Sequence, residues 1–164
     1  LVFITDKLMP DAVFFTCQQH APEYLWKPEY QRHKNGASMI SEVIMVANNP
    51  ADLSEILGSI QGKQAVSVSG DDLWAATERG VVTVVTPRNF ESRFGVAPVG
   101  PQSQHFAAFQ ITVADLSKTE MLLKGNAVPF RKTQDTLQIG PETAIGCVQE
   151  FEPEGCPPHL MSSY

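Results

Sequence analysis

The chain has 164 residues, a formal charge of −6, and 43% apolar against 18% charged residues. That length makes one ordinary domain or two small modules sharing a core, and the balance is globular, not disordered. The acidity argues against nucleic acid or an anionic membrane as a partner, and no apolar run approaches the ~18 residues of a membrane span.

The chain opens on Leu1-Val2-Phe3-Ile4, which reads as the inside of a strand and hence as a piece of something longer. Met9-Pro10-Asp11 breaks it, and Val13 to Cys17 resumes as a strand rich in β-formers. From His20 to Gly36, Pro22, Pro28 and Asn35-Gly36 forbid one long helix, so a long connection pinned by Tyr24, Trp26 and Tyr30 is expected. Cys17, Cys147 and Cys156 are an odd count without close pairing. Together with the lack of a basic-then-apolar leader, they suit reduced thiols in a cytoplasmic protein. Cys17 and Cys147 have apolar neighbours and are expected to be buried, Cys156 exposed.

Met39 to Val46 predicts a strand. Asn48-Asn49-Pro50 predicts a helix start, Leu53, Ile56, Leu57 and Ile60 its apolar stripe, and Gly62 its end. Short strands follow at Gln64–Ser69, Leu73–Thr77 and Val81–Thr86, parted by turn residues. Arg88 to Gln104 reads as a linker, marked by Gly95, Pro98, Gly100 and Pro101. His105, read as surface, precedes a strand at Phe106–Val113. Asp115 caps a helix that Gly125-Asn126 closes, and strands at Val128–Lys132, Thr136–Ile139 and Ile145–Phe151 complete the series.

The order strand, helix, three strands therefore occurs twice, at 37–87 and 105–152, with 1–36 before it, 88–104 between and a flexible tail at 153–164. So short a unit cannot cover its own sheet, so the two copies should share one core. The expected fold is α+β: paired βαβββ modules forming a cupped mixed or antiparallel sheet with helices outside.

This doubled unit resembles the glyoxalase-like, or vicinal oxygen chelate, superfamily. The words Phe14 to Glu23 and Tyr30 to Ala37 are similar to its glyoxalase-like domain proteins, whose longer chains carry further units. On that resemblance 1–36 ends an upstream module. The resemblance implies a concave sheet where a divalent metal held by His, Glu or Gln stabilises an enediolate or peroxo species. Counting seven residues back from Asp115 and Asn48 reaches Ala108 and Ser41, where the pattern wants His. Only Glu150 falls on a family ligand position; its counterpart in the first module is Val84. The expectation is therefore no metal in these modules.

His20, Glu23 and His33 form the densest polar cluster, suited to acid–base work, to a metal outside the family pattern, or to fastening the loop. Glu150 shares a strand face with Val148. It is either a base in a partly apolar hollow or a solvated strand residue paired with Arg131 or Lys132. Gln110 and Arg131 are candidates for holding a carbonyl and a carboxylate, or belong to an exposed face. Trp26, with Tyr24 and Tyr30, forms either a wall for a flat ligand or plain packing. Cys17 is a candidate nucleophile only if His20 reaches it, and three residues along a strand face opposite ways.

Three functions follow. One is a metal-independent small-molecule binder. The second is an enzyme of lyase, isomerase or dioxygenase type using His20, His33 and Glu150, with Glu23, Gln110, Arg131 and Trp26 holding substrate. The third is a non-catalytic half that dimerises through open sheet edges.

Overall fold

The computed structural model describes residues 1–7 and 9–155. Strands β1 (Val2–Ile4) and β2 (Phe14–Thr16) form a small antiparallel hairpin apart from the main sheet. Met9, Ala12 and Phe14 of this segment pack into the main core. The connection that follows holds two 3-10 turns, Pro22–Tyr24 and Pro28–Tyr30, each opened by proline, whose fixed φ suits a first turn.

The first module runs β3 (Ala37–Val46), a 3-10 turn at Pro50–Leu53, α1 (Ser54–Gln61), β4 (Val66–Ser69), β5 (Asp72–Ala76) and β6 (Val81–Val85). The second runs β7 (His105–Val113), α3 (Leu116–Gly125), β8 (Arg131–Lys132), β9 (Leu137–Ile139) and β10 (Val148–Pro153). Between them lies α2 (Pro87–Phe94). The eight main strands make one mixed sheet in the order β4-β5-β6-β3-β7-β10-β9-β8. Each module pairs its first strand parallel with its last, β3 with β6 and β7 with β10. Antiparallel β3 and β7 join the modules at the centre. The expected α+β doubling is therefore what the chain builds.

Alternation along the strands decides what covers each face. Met45, Leu73 and Val84 meet Leu53 and Leu57 of the α1 region on the outer face. Val113, Leu137, Ile139 and Phe151 meet Leu116 and Leu123 of α3 on that face in the second module. Asp115 caps α3 as expected, its Oδ1 accepting from the amides of Ser117 and Lys118.

Several details differ from expectation. The 88–104 stretch begins as helix: Thr86 Oγ1 accepts from the Asn89 amide, Pro87 takes the first turn, and Gly95 ends it in left-handed conformation at φ 69°. Strand β8 starts only at Arg131, because Pro129 has no N–H to give a ladder. Strand β10 starts at Val148, since Ile145 (φ 56°) and Gly146 (φ 86°) form a turn. His105 is buried within β7, its Nδ1 2.8 Å from Ser103 O. Cys17 lies just past β2 and is exposed, like its neighbours Phe15 and Thr16; Cys147 is half-buried, and burial pushes its thiol pKa up. Cys156 lies outside the described residues.

Candidate functional site

The inner face carries the chemistry. Register places Glu42 of β3 opposite Gln110 of β7, and Gln110 opposite Glu150 of β10. Neighbouring strands are about 4.8 Å apart, so three polar side chains stand in a row across the module seam. All are buried, with Gln110 and Glu150 among the most enclosed side chains of the chain. Thr83 of β6 donates to Glu42 Oε1.

Helix α2 packs over this row. Phe90 and Phe94, four apart and so on one face, pack against Ile44, Val85, Ala108 and Val148. Asn89 ties the helix to β5 through Asp72 Oδ1 at 2.9 Å. Arg93, held with its guanidinium 4.8 Å from the Phe94 ring, reaches the carboxylates. Its Nη2 is 2.7 Å from Glu42 Oε2 and 2.7 Å from Glu150 Oε2. Burial opposes the guanidinium charge, but the two carboxylates outweigh it and hold the Arg93 pKa above the ordinary arginine value.

Glu150 is fully engaged. Oε2 also accepts from Gln110 Nε2 at 2.9 Å, and Oε1 accepts from Gln138 Nε2 at 2.6 Å and Thr136 Oγ1 at 3.2 Å. Gln138 Oε1 in turn accepts from Arg131 Nε at 2.8 Å, and Arg131 Nη2 donates to the Arg93 carbonyl at 3.1 Å. The network runs from β3 to β8 and fastens α2 to both modules.

Beyond it the inner face opens. A register shift between Ile40 and Glu42 makes Ser41 an extra residue, so Ser41 and Glu42 both bond to inner-face side chains. Ser41 Oγ donates to Glu152 Oε1 at 2.6 Å, and Thr112 Oγ1 donates to the same oxygen at 3.3 Å. These residues line an open pocket of about 620 Å³ with Gln110, Met39, Val81 and the β5–β6 turn at Thr77, Arg79 and Gly80. Gln110 thus belongs to both the network and the pocket.

Gly80 sets the pocket wall. A Cβ there would stand 2.4 Å from the Ser41 carbonyl oxygen, which is backbone and cannot swing aside. Gly80→Ala is expected to destabilise the chain by about 1–3 kcal/mol, the usual cost of overpacking. Urea unfolding would show it as a lowered midpoint at unchanged slope.

The structure brings Gln110, Glu150 and, through Gln138, Arg131 into one cluster. It places His20, Glu23, Trp26 and His33 elsewhere, exposed on the connection before β3. Trp26 Nε1 donates to Gln19 Oε1 at 2.6 Å, and none of the four lines the large pocket. Sequence reading missed Glu42, Arg93, Gln138 and Glu152. Ala108, reached by counting back along β7, shares the inner face with Gln110 two residues on and carries no polar group, and Ser41 is the bulged residue beside Glu42 in β3. Val84 belongs to the outer core, and Thr83 is its inward neighbour.

The fold family implies a divalent ion on this face, but the residues do not fit one. The place between Glu42 and Glu150 is filled by a permanent organic cation, with Gln110 and Gln138 donating amide protons where a metal would need lone pairs. Among the described residues, no group of three or more His, Cys, Asp or Glu could hold a metal. Nor is any described helix long and apolar enough to cross a membrane.

No protein-family model matches the chain, and no curated protein matches it. Solved structures do. Methylmalonyl-CoA epimerase from Mycobacterium tuberculosis superposes with a TM-score of 0.55 at 12% identity, over 82% of this chain and 98% of that one. Hypothetical protein BH1468 from Bacillus halodurans C-125 superposes at 0.50 and 11% identity, over 73% and 96%. At such identities the likeness shows the fold alone, and that fold is the vicinal oxygen chelate fold.

Proposed function

We propose that this chain is a small-molecule-binding domain of vicinal oxygen chelate fold that works without a divalent metal. Arg93 supplies the central cation, and ligand binds in the open part of the inner face. The observation supporting this is the junction at Gln110. On one side Arg93 bridges Glu42 and Glu150. On the other an open pocket of about 620 Å³ lies in the size range of small-molecule sites. Glu150 is here an anchor, not a base, since both its oxygens already accept from side-chain donors. His20, Glu23, Trp26 and His33 have no part in it. The epimerase likeness contributes the scaffold, and no reaction is carried over from it.

Two melting experiments test the reading. Adding Mn²⁺, Ni²⁺ or Zn²⁺ to EDTA-treated protein is expected to leave the melting midpoint unchanged. A screen of small organic molecules is expected to raise it for some of them, because a ligand selective for the native state stabilises by mass action. Ala76→Phe, at an exposed pocket-lining position on β5, should abolish that rise. A divalent ion that stabilises the chain, with the effect lost in Glu42→Gln and Glu150→Gln, would overturn the reading.

A further inference from the structure

Three carboxylates are buried on the inner face, Glu42, Glu150 and Glu152, and Arg93 pairs with only two of them. Glu152 is 4% exposed, and its only described partners are the hydroxyls of Ser41 and Thr112, both on Oε1. Oε2 is buried and takes no hydrogen bond from any described residue. Among the described residues, no Lys, Arg or His forms an ion pair with Glu152. An ionised carboxylate out of water calls for a cation or a further donor. The other charged residues on the pocket lining are Arg79 and Glu154, both exposed.

We infer that the open pocket is a site for a primary ammonium on an apolar body, with Glu152 as its counter-ion. The inference rests on the binding reading above and names the ligand class for that same site. The charge excess on this face is negative, and an ammonium brings three donors and no acceptor. Glu152, Ser41 and Thr112, which carry the acceptors, line one wall. Because those hydroxyls hold only Oε1, the carboxylate can turn about that oxygen to present Oε2 to the pocket. Met39, Ala76, Val81 and Pro153 supply apolar surface for the rest of the ligand. An alcohol satisfies one acceptor and leaves the charge; an anion meets Glu152 and Glu154 head on.

Hexylamine, hexanol and hexanoate share one tail and differ only at the head. Titrated into the folded chain and followed by amide shifts at Ser41 and Gly80, hexylamine is expected to bind at least tenfold more tightly than either. Glu152→Gln keeps the shape and the acceptor for Ser41 and Thr112, and should reduce hexylamine to the level of hexanol. Ala76→Phe should remove all binding and serves if Glu152→Gln does not fold. Equal binding of the three ligands would overturn the amine assignment while leaving the pocket a binding site. A preference for hexylamine that survives Glu152→Gln would overturn the role of Glu152. No shifts with any of the three would overturn both the assignment and the binding reading.

Discussion

Arg93→Met is expected to destabilise the protein by about 3–5 kcal/mol, the range for stranding buried charges by removing their partner. For a chain of this size that is a fall in melting midpoint on the order of 10 °C. Methionine keeps the volume and the contact with Phe94, so the loss reports charge and not packing. Glu42 and Glu150 then face each other across Gln110 with no cation between them. Buried without a counter-charge, two ionised carboxylates repel each other and lose hydration, a cost that acid relieves. The deficit of Arg93→Met should therefore be larger at alkaline pH than in mild acid. Arg93→Lys should fall between, because one ammonium cannot reproduce the planar fork. In the smaller Arg93→Ala, Mn²⁺ or Zn²⁺ should recover part of the midpoint while leaving the parent chain unmoved. Melting curves across pH, with and without metal, decide it. A midpoint unchanged in Arg93→Met would mean that the bridge carries no stability.

The second large effect lies in the aromatic pair beneath the same helix. Phe90 is 1% exposed and Phe94 3%, their rings 4.7 Å apart. Phe90→Ala is expected to cost about 3–5 kcal/mol, the usual range for a core Phe. Part of that loss should appear as undocking of α2, since this helix meets the sheet chiefly through Phe90, Phe94 and Arg93. Phe94→Ala combined with Arg93→Met should be non-additive, because the guanidinium lies over that ring. Phe90→Ala combined with Arg93→Met couples only through the docking of the helix. Denaturant midpoints of the singles and doubles measure both couplings. Full additivity in every pair would show that ring and charge act as separate fasteners.

Much of the architecture could be read from residue order alone. The strand runs Met39–Val46 and Phe106–Val113, the cap at Asp115 and the stop at Gly62 each state a local preference that the fold keeps. Glu150 and Gln110 were legible for the same reason, since period-two alternation decides which way a strand residue faces. Glu42 was not, because the bulge at Ser41 changes the phase and nothing local announces it. Arg93 was readable in principle. Thr86-Pro87 is a start signal, Gly95 a stop, and Phe90 and Phe94 are one turn apart. The glycines and prolines after Gly95 drew the whole stretch into a linker. The weight given to His20 and His33 reflects what imidazole can do and says nothing about where a loop carries it.

The bond between Ser41 and Glu152 spans 111 positions of the chain, and the bridge from Glu42 to Arg93 spans 51. Hairpins such as β4-β5 close early because their ends begin near one another; contacts this remote carry a heavier entropic toll and come late. The polar row is therefore a marker of completed assembly. A chain halted with its modules formed but unmated would show native helices and hairpins and still lack any recognition surface. A cut between Gly95 and Gln104 should separate acquisition of secondary structure from acquisition of that surface.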